Sequence, residues 1–338
     1  MELPGIDTLL ANAVAEDLSI FHPVSPSGIA IAALAILVLA ITGGIWLIVS
    51  SVLMYCVVRF RAQTGDTHEP PQVYGSMPIE IAWTAAPAII VFILILVTTR
   101  TLWEVEISPP APTAGDQTLF VTVVGRQWWW EYQYDEYDGK KLGFITANEL
   151  HIPVSDPAQP RRVYLQLKSA DVCHSFWVPR LGGKTDLIPG RVNSMWLQTD
   201  QPGVYLGQCA EYCGTQHANM LLQVVVESPA EFEAWLKNEA AAALEVESAA
   251  RGRDVFQSLS CVNCHAVRGT IAAGTYGPDL THLMSRVTLA SGQIANTREN
   301  LREWIADPQQ IKPGCLMPAF GLSDRELDDV VSYLESLR

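Results

Sequence analysis

Two long apolar runs constrain this chain more than any other feature. Ile29 to Val58 is almost uninterrupted over about thirty residues, and Ile79 to Val97 follows at about the minimum spanning length. About twenty apolar residues suffice for a helix to cross a bilayer, so the pair predicts a transmembrane hairpin. Glu2, Asp7, Glu16 and Asp17 precede the first run without any Lys or Arg, whereas Arg59 and Arg61 follow it. The positive-inside rule then places the N-terminus outside, the loop through Pro70 and Pro71 in the cytoplasm, and everything after about Arg100 outside again. The first run is too long for a signal-peptide core and has no basic segment before it, so no cleaved signal is expected.

After the Pro-rich connector Ser108-Pro109-Pro110-Ala111-Pro112 the texture changes. Leu119 to Val124 and Val163 to Leu167 read as short strands between Gly, Pro and Asp turns, which predicts a sandwich or barrel up to about Val226. Glu231 to Ala249, rich in Ala and Glu, predicts a helix serving as a linker. The remainder reads as short helices around one Cys-Cys-His motif. A net charge of -14 argues against nucleic acid and for cationic partners.

Four of the seven cysteines fall into two tight clusters of different type. The first is Gly207-Gln-Cys209-Ala-Glu211-Tyr-Cys213-Gly-Thr-Gln-His217-Ala-Asn-Met220. Two thiolates, an imidazole and a thioether in one loop are a donor set that selects copper. A mononuclear blue-copper site needs one Cys, so the second thiolate allows two ions with bridging sulfurs. The missing imidazole is His174, expected at a strand end, with Cys173 pointing to the opposite face. A Cys209–Cys213 disulfide would leave the His and Met idle. A zinc site would have no use for Met220.

The second cluster, Cys261-Val-Asn-Cys264-His265, is the c-type haem attachment signature: two thiols form thioethers and the adjacent His becomes the proximal ligand. A soft sixth ligand would raise the potential to a range useful for electron transfer. Met317 lies in a Pro- and Gly-flanked loop, whereas Met284 sits in an apolar stretch and reads as core.

The loop Cys-x-Glu-x-Cys-x-x-x-His-x-x-Met, preceded by Asp171-Val-Cys-His174-Ser and by Lys184-Thr-Asp-Leu-Ile-Pro-Gly-Arg191, resembles subunit II of haem-copper cytochrome c oxidases. The apolar hairpin and the aromatic stretch Gly125 to Tyr134 agree, and the resemblance spans about residues 20 to 235. It implies a cupredoxin fold carrying two copper ions on His174, Cys209, Cys213, His217 and Met220, with the Glu211 carbonyl as a further ligand. It also implies that the Glu211 side chain shares a magnesium ion with the catalytic subunit, and that Trp128 is the exposed point where electrons enter. Glu80, in Glu80-Ile-Ala-Trp83, would be the mouth of a proton path; the alternative is an acid snorkelling at a helix end. The C-terminal part resembles class I cytochromes c, with Gly277-Pro278 shielding the haem and a last helix at about Ser323 to Leu337.

The expected architecture is therefore multidomain. An external segment (1–25) leads to a two-helix transmembrane hairpin (26–107), an all-β cupredoxin-like domain (108–228), a linker helix (229–249) and an all-α cytochrome c domain (250–338). The expected function is electron input to a respiratory terminal oxidase. Electrons would pass from one covalently bound haem c, supplied by cytochrome c or a quinol–cytochrome c reductase, through the copper pair to the catalytic haem-copper subunit I, which reduces oxygen and pumps protons. Other oxidase subunits and membrane lipid complete the expected partners. The expected location is a bacterial inner membrane, with copper and haem on the periplasmic face. The rival functions are an accessory subunit of a copper-bearing nitric oxide reductase and a copper carrier, the latter having no need of a redox haem. A tethered haem domain should meet the copper domain intramolecularly, at an effective concentration on the order of millimolar.

Overall fold

The computed structural model describes residues 18–61, 65, 69, 71–72, 74–105, 118–156, 158, 160–244 and 246–338. The acidic residues Glu2 to Asp17, Pro70 and the Ser108–Pro112 connector lie outside these. The chain divides into two compact units, one of residues 29–107 and one of residues up to 28 together with those from 108 onward.

Helices α1 (Pro26–Arg59) and α2 (Met77–Val105) are each long and apolar enough to cross a membrane. Leu47, Ile48 and Leu53 of α1 and Ile89, Ile93 and Ile95 of α2 are exposed, the pattern of a helix that finds its apolar solvent outside the protein. Glu80 lies in the first turn of α2, where its carboxylate accepts the Ser76 N–H at 3.2 Å. Helix N-termini leave such donors unpaired and favour an anion.

The second unit opens with a β-sandwich. One sheet has the order β3 (Lys140–Ala147), β2 (Trp129–Tyr137), β1 (Leu119–Arg126), β5 (Val163–Ser169), β8 (Asn193–Leu197). The other has β4 (Glu149–Pro153), β10 (Leu221–Glu227), β9 (Gly203–Cys209), β6 (His174–Trp177), β7 (Thr185–Leu187). The two strands foreseen at Leu119 and Val163 are neighbours, paired in parallel. Alternate residues of β2 face inward, so Trp130, Tyr132 and Tyr134 are fully buried, while the intervening Glu131 pairs with Arg126 at 2.9 Å. Leu165, Leu167, Phe176 and Val224 meet them from both sheets. Before α1, Val24 is pinned to the sandwich: its N–H donates to Arg180 and its carbonyl accepts from the Thr199 hydroxyl at 2.7 Å.

The foreseen linker helix to Ala249 is shorter than expected. Helix α3 (Pro229–Glu239) starts at a Ser228–Glu231 capping box and ends ten residues before Ala249. Phe232 and Leu236, one turn apart, bury into the sandwich core, and Trp235 stacks on His151 with centroids 4.3 Å apart. That face makes α3 part of the sandwich.

The C-terminal segment holds α4 (Ala250–Ser258), α5 (Cys261–Cys264), the short pair β11 (Thr288–Leu289) and β12 (Ile294–Ala295), α6 (Arg298–Ala306), α7 (Pro308–Ile311) and α8 (Asp324–Glu335). Helix α8 realises the expected last helix and starts at a Ser323–Glu326 capping box. It crosses α4 at Gly252, where an added Cβ would lie 1.8 Å from the Asp329 carbonyl oxygen. Phe256, Val267, Leu301, Val331 and Leu334 form a core separate from that of the sandwich.

Candidate functional site

Three local structures converge on one end of the sandwich. His174 is the first residue of β6, Cys209 the last of β9, and the loop that follows carries Cys213, His217 and Met220 before β10 begins. Cys209 and Phe176 are register partners, so β6 and β9 bring His174 beside a cysteine 35 residues away. His174, Cys209, Cys213 and Met220 are buried, whereas Cys173 is exposed, as strand alternation requires.

The donors form a chain. The Cys209 and Cys213 sulfurs are 3.8 Å apart, both free thiols and not a disulfide. At the Cys209 end stand His174 Nδ1 at 3.9 Å and the Glu211 carbonyl oxygen at 3.2 Å. At the Cys213 end stand His217 Nδ1 at 3.7 Å and Met220 Sδ at 3.8 Å. Six donors, three of them sulfur and two imidazole, exceed the four of a structural zinc site and suit copper. A hydrogen bond from the Cys213 thiol, outweighing the opposing effect of burial, holds Cys209 well below the usual thiol pKa. A residue that sequence reasoning left unassigned completes the set: Asp171 Oδ1 accepts from His174 Nε2 at 2.7 Å, which turns the Nδ1 lone pair toward the sulfurs. Asp171 also accepts the Gln127 N–H at 2.6 Å. Nothing in its spacing marks it as different from any other turn aspartate.

The second cluster lines an apolar cavity of ≈ 310 Å³. Cys261, Cys264 and His265 face it from one side and Met317 from the loop after α7. Met284 packs instead on the segment's core, its N–H on the Leu337 carbonyl. His265 Nδ1 donates to the Pro278 carbonyl at 2.8 Å, leaving Nε2 as the ring's lone-pair nitrogen. Gly277 lies so close to that ring that a Cβ would be 2.5 Å from Cε1. An apolar slot with two thiols, one oriented imidazole and a thioether fits a covalently attached haem.

Trp128 departs from its expected exposure. It is only 9% exposed and belongs to the sandwich's core cluster. The ring lines the cavity and the indole N–H donates to the Cys213 carbonyl at 2.9 Å, so one side chain touches both sites. Two further buried groups join the segments. Glu149 of β4 accepts the Val287 and Thr288 N–H groups at 2.9 and 3.0 Å. Lys312, 3% exposed, donates to the carbonyls of Trp128, Asn219 and Ala290 at 2.7, 3.0 and 2.9 Å. Burial pulls the Lys312 pKa down to about 7, but three acceptors employ every donor of the ammonium form. Sequence gave no sign of either anchor.

Fold and sites define a class: a chain with two apolar helices that carries a cupredoxin-like copper site docked against a c-type haem site. Residues 119–228 match the periplasmic domain of cytochrome c oxidase subunit II, residues 15–100 its transmembrane domain and residues 249–338 cytochrome c. The chain is 38% identical to cytochrome c oxidase subunit 2 of Alkalihalophilus pseudofirmus, over 90% of this chain and 85% of that one. To the subunit 2 of Bacillus subtilis it is 34% identical, over 85% and 82%. The periplasmic domain of the oxidase subunit II of Bradyrhizobium japonicum overlays 38% of this chain and 96% of its own, at 32% identity and a TM-score of 0.33.

The chain belongs to the cytochrome c oxidase subunit II family, in the form that carries a C-terminal cytochrome c domain. It is the electron-input subunit of a terminal oxidase, membrane-anchored, with copper and haem in its extramembrane part and other oxidase subunits as partners. The nitric oxide reductase alternative finds no support in these likenesses.

Proposed function

We propose that this subunit holds two copper ions and one haem c, with Trp128 between them. His174, Cys209, Cys213, His217, Met220 and the Glu211 carbonyl would hold the copper pair; Cys261, Cys264, His265 and Met317 would hold the haem. The observation that carries this reading is the chain of donors. Each sulfur has one imidazole and one further donor beside it, so the six donors fall into two like halves about the pair of sulfurs, an arrangement that would hold two ions. Bound copper and haem supply one-electron redox chemistry. The protein's part is to orient and insulate: Asp171 turns His174, apolar walls exclude water, and Trp128 spans from the cavity to the Cys213 carbonyl.

Because Trp128 is buried and lines the same cavity as Cys261, Cys264 and His265, electrons enter the copper loop from this chain's own haem side. A soluble cytochrome c or a quinol–cytochrome c reductase then delivers to the outer surface of the C-terminal segment. The half-buried Glu211 side chain would share magnesium with the catalytic subunit, and Glu80 would open a proton path into it. Both helices would sit in the lipid of a bacterial inner membrane, with the copper and haem sites periplasmic. The domain bounds adopted are those foreseen from the sequence, except that α3 belongs with the sandwich.

The test is Cys213→Ser in the purified complex. Wild type should bind two coppers per chain and give a delocalised mixed-valence resonance when oxidised. The variant should lose that resonance and keep at most one copper; retention of both metals with the resonance intact would remove the bridging role.

A further inference from the structure

The loop that carries Met317 begins at Lys312, and the loop that carries the copper donors runs from Cys209 to Met220. They are far apart in sequence and joined directly in space. Lys312 Nζ donates to Asn219, between His217 and Met220, and to Trp128, both in the copper-bearing sandwich. Its third donor goes to Ala290 of the haem-bearing segment. From the other direction Gln216 Nε2 donates to the Pro313 carbonyl at 2.7 Å, one residue beyond Lys312, while Gln216 Oε1 accepts from Asn219 Nδ2 at 2.7 Å. Two polar side chains, one from each loop, thus make reciprocal bonds to the backbone of the other. Lys312 and Gln216 are both buried. A buried lysine is costly to desolvate and rare unless every donor is used, and the Asn219 and Trp128 carbonyls are usable only in the docked arrangement.

We propose that Lys312 and Gln216 are positioning residues for electron transfer: they pin the loop that carries Met317 onto the copper loop and so fix the separation of the two redox sites. This rests on the reading of Met317 as haem ligand and of the Cys209–Met220 loop as copper-binding. A polar anchor of this kind constrains direction as well as distance, because three acceptors from three segments can be met by one ammonium in only one relative placement. Small misplacements between reacting centres cost rate steeply, by as much as about a hundredfold for 1 Å in enzymes.

Lys312→Met, close to lysine in length but without donors, tests this in the intact purified oxidase. Three readouts are needed: the rate of haem-to-copper transfer after rapid reduction, the haem midpoint potential, and amide hydrogen exchange over residues 287–291 and 313–318. The expected result is transfer slowed by roughly tenfold or more and exchange over both stretches raised, with copper and haem absorption retained. An unchanged rate overturns the proposal. So does a slower rate with unchanged exchange and a shifted haem potential, because lysine would then act through its charge. If the methionine variant does not assemble, Gln216→Ala breaks the opposing bond alone: slower transfer with an intact copper spectrum supports the pin, and an unchanged rate removes it. Failure of the underlying ligand reading is separately visible, since wild-type protein would then lack the red charge-transfer band of methionine-ligated ferric haem.

Discussion

His174 can turn only one ring nitrogen toward the sulfurs, and Asp171 decides which. The carboxylate accepts from Nε2 and leaves Nδ1 as the lone-pair nitrogen, 3.9 Å from Cys209. Outer partners of this kind usually carry about 10–100-fold in metal affinity. Asp171→Ala should therefore weaken copper binding by about that factor while leaving the copper-free fold in place, as chelator competition would measure; unchanged affinity would show that the ring is held by packing against Trp130 instead. The donors themselves were legible in the sequence because soft ligands at short spacing have few other uses. Asp171 was not, because a turn aspartate three residues before a histidine has many. Cys315 stays without a role: its sulfur lies 3.2 Å from Gln309 Nε2, and no function follows from that contact.

At the scale of elements, the haem side depends on two helices far apart in sequence. Helices α4 and α8 meet backbone to backbone at Gly252, against the Asp329 carbonyl. Gly252→Ala would place a methyl 1.8 Å from the Asp329 carbonyl oxygen, so the helices must separate. Overpacking of this kind costs about 1–3 kcal/mol. The expected outcome is a lower unfolding temperature for the C-terminal segment, followed by haem absorbance, with the copper resonance unchanged. Loop placement is equally an element-scale matter. Met317 and Met284 are chemically equivalent candidates, and flanking Pro and Gly favoured the first; both pack against the segment's core, and only Met317 also lines the cavity. Helix α3 is the case where local reading failed. Its Ala- and Glu-rich composition spoke for a solvated linker, whereas Phe232 and Leu236 on one face were enough to draw it into the sandwich.

Across the whole molecule, the haem-bearing segment is docked rather than tethered. Glu149 and Lys312, one from each side of the contact, are buried anchors, and Trp128 lines the cavity between the sandwich and the haem-bearing segment. The expectation of an intramolecular encounter through a short linker, at an effective concentration on the order of millimolar, gives way to a direct contact. Haem-to-copper transfer in the intact oxidase should accordingly be independent of protein concentration and nearly independent of salt, since buried pairs escape screening. Ending the chain after Ala240 leaves α3 and the sandwich core complete, because the two cores are separate clusters. That form should still bind copper, expose Trp128, and need added cytochrome c, whose second-order reaction weakens as salt rises. Stopped-flow traces over a salt series on both forms measure this; equal salt slopes would mean that the C-terminal haem is not the immediate donor. The sequence by itself determined the parts: apolar length made two helices long enough to span, alternation made strands, and clustered soft donors marked the copper and haem sites. Only the tertiary structure decided how the two sites face each other, because the groups that join them are isolated polar residues such as Lys312, 184 positions from its Trp128 acceptor, whose partners are backbone carbonyls that no sequence pattern records.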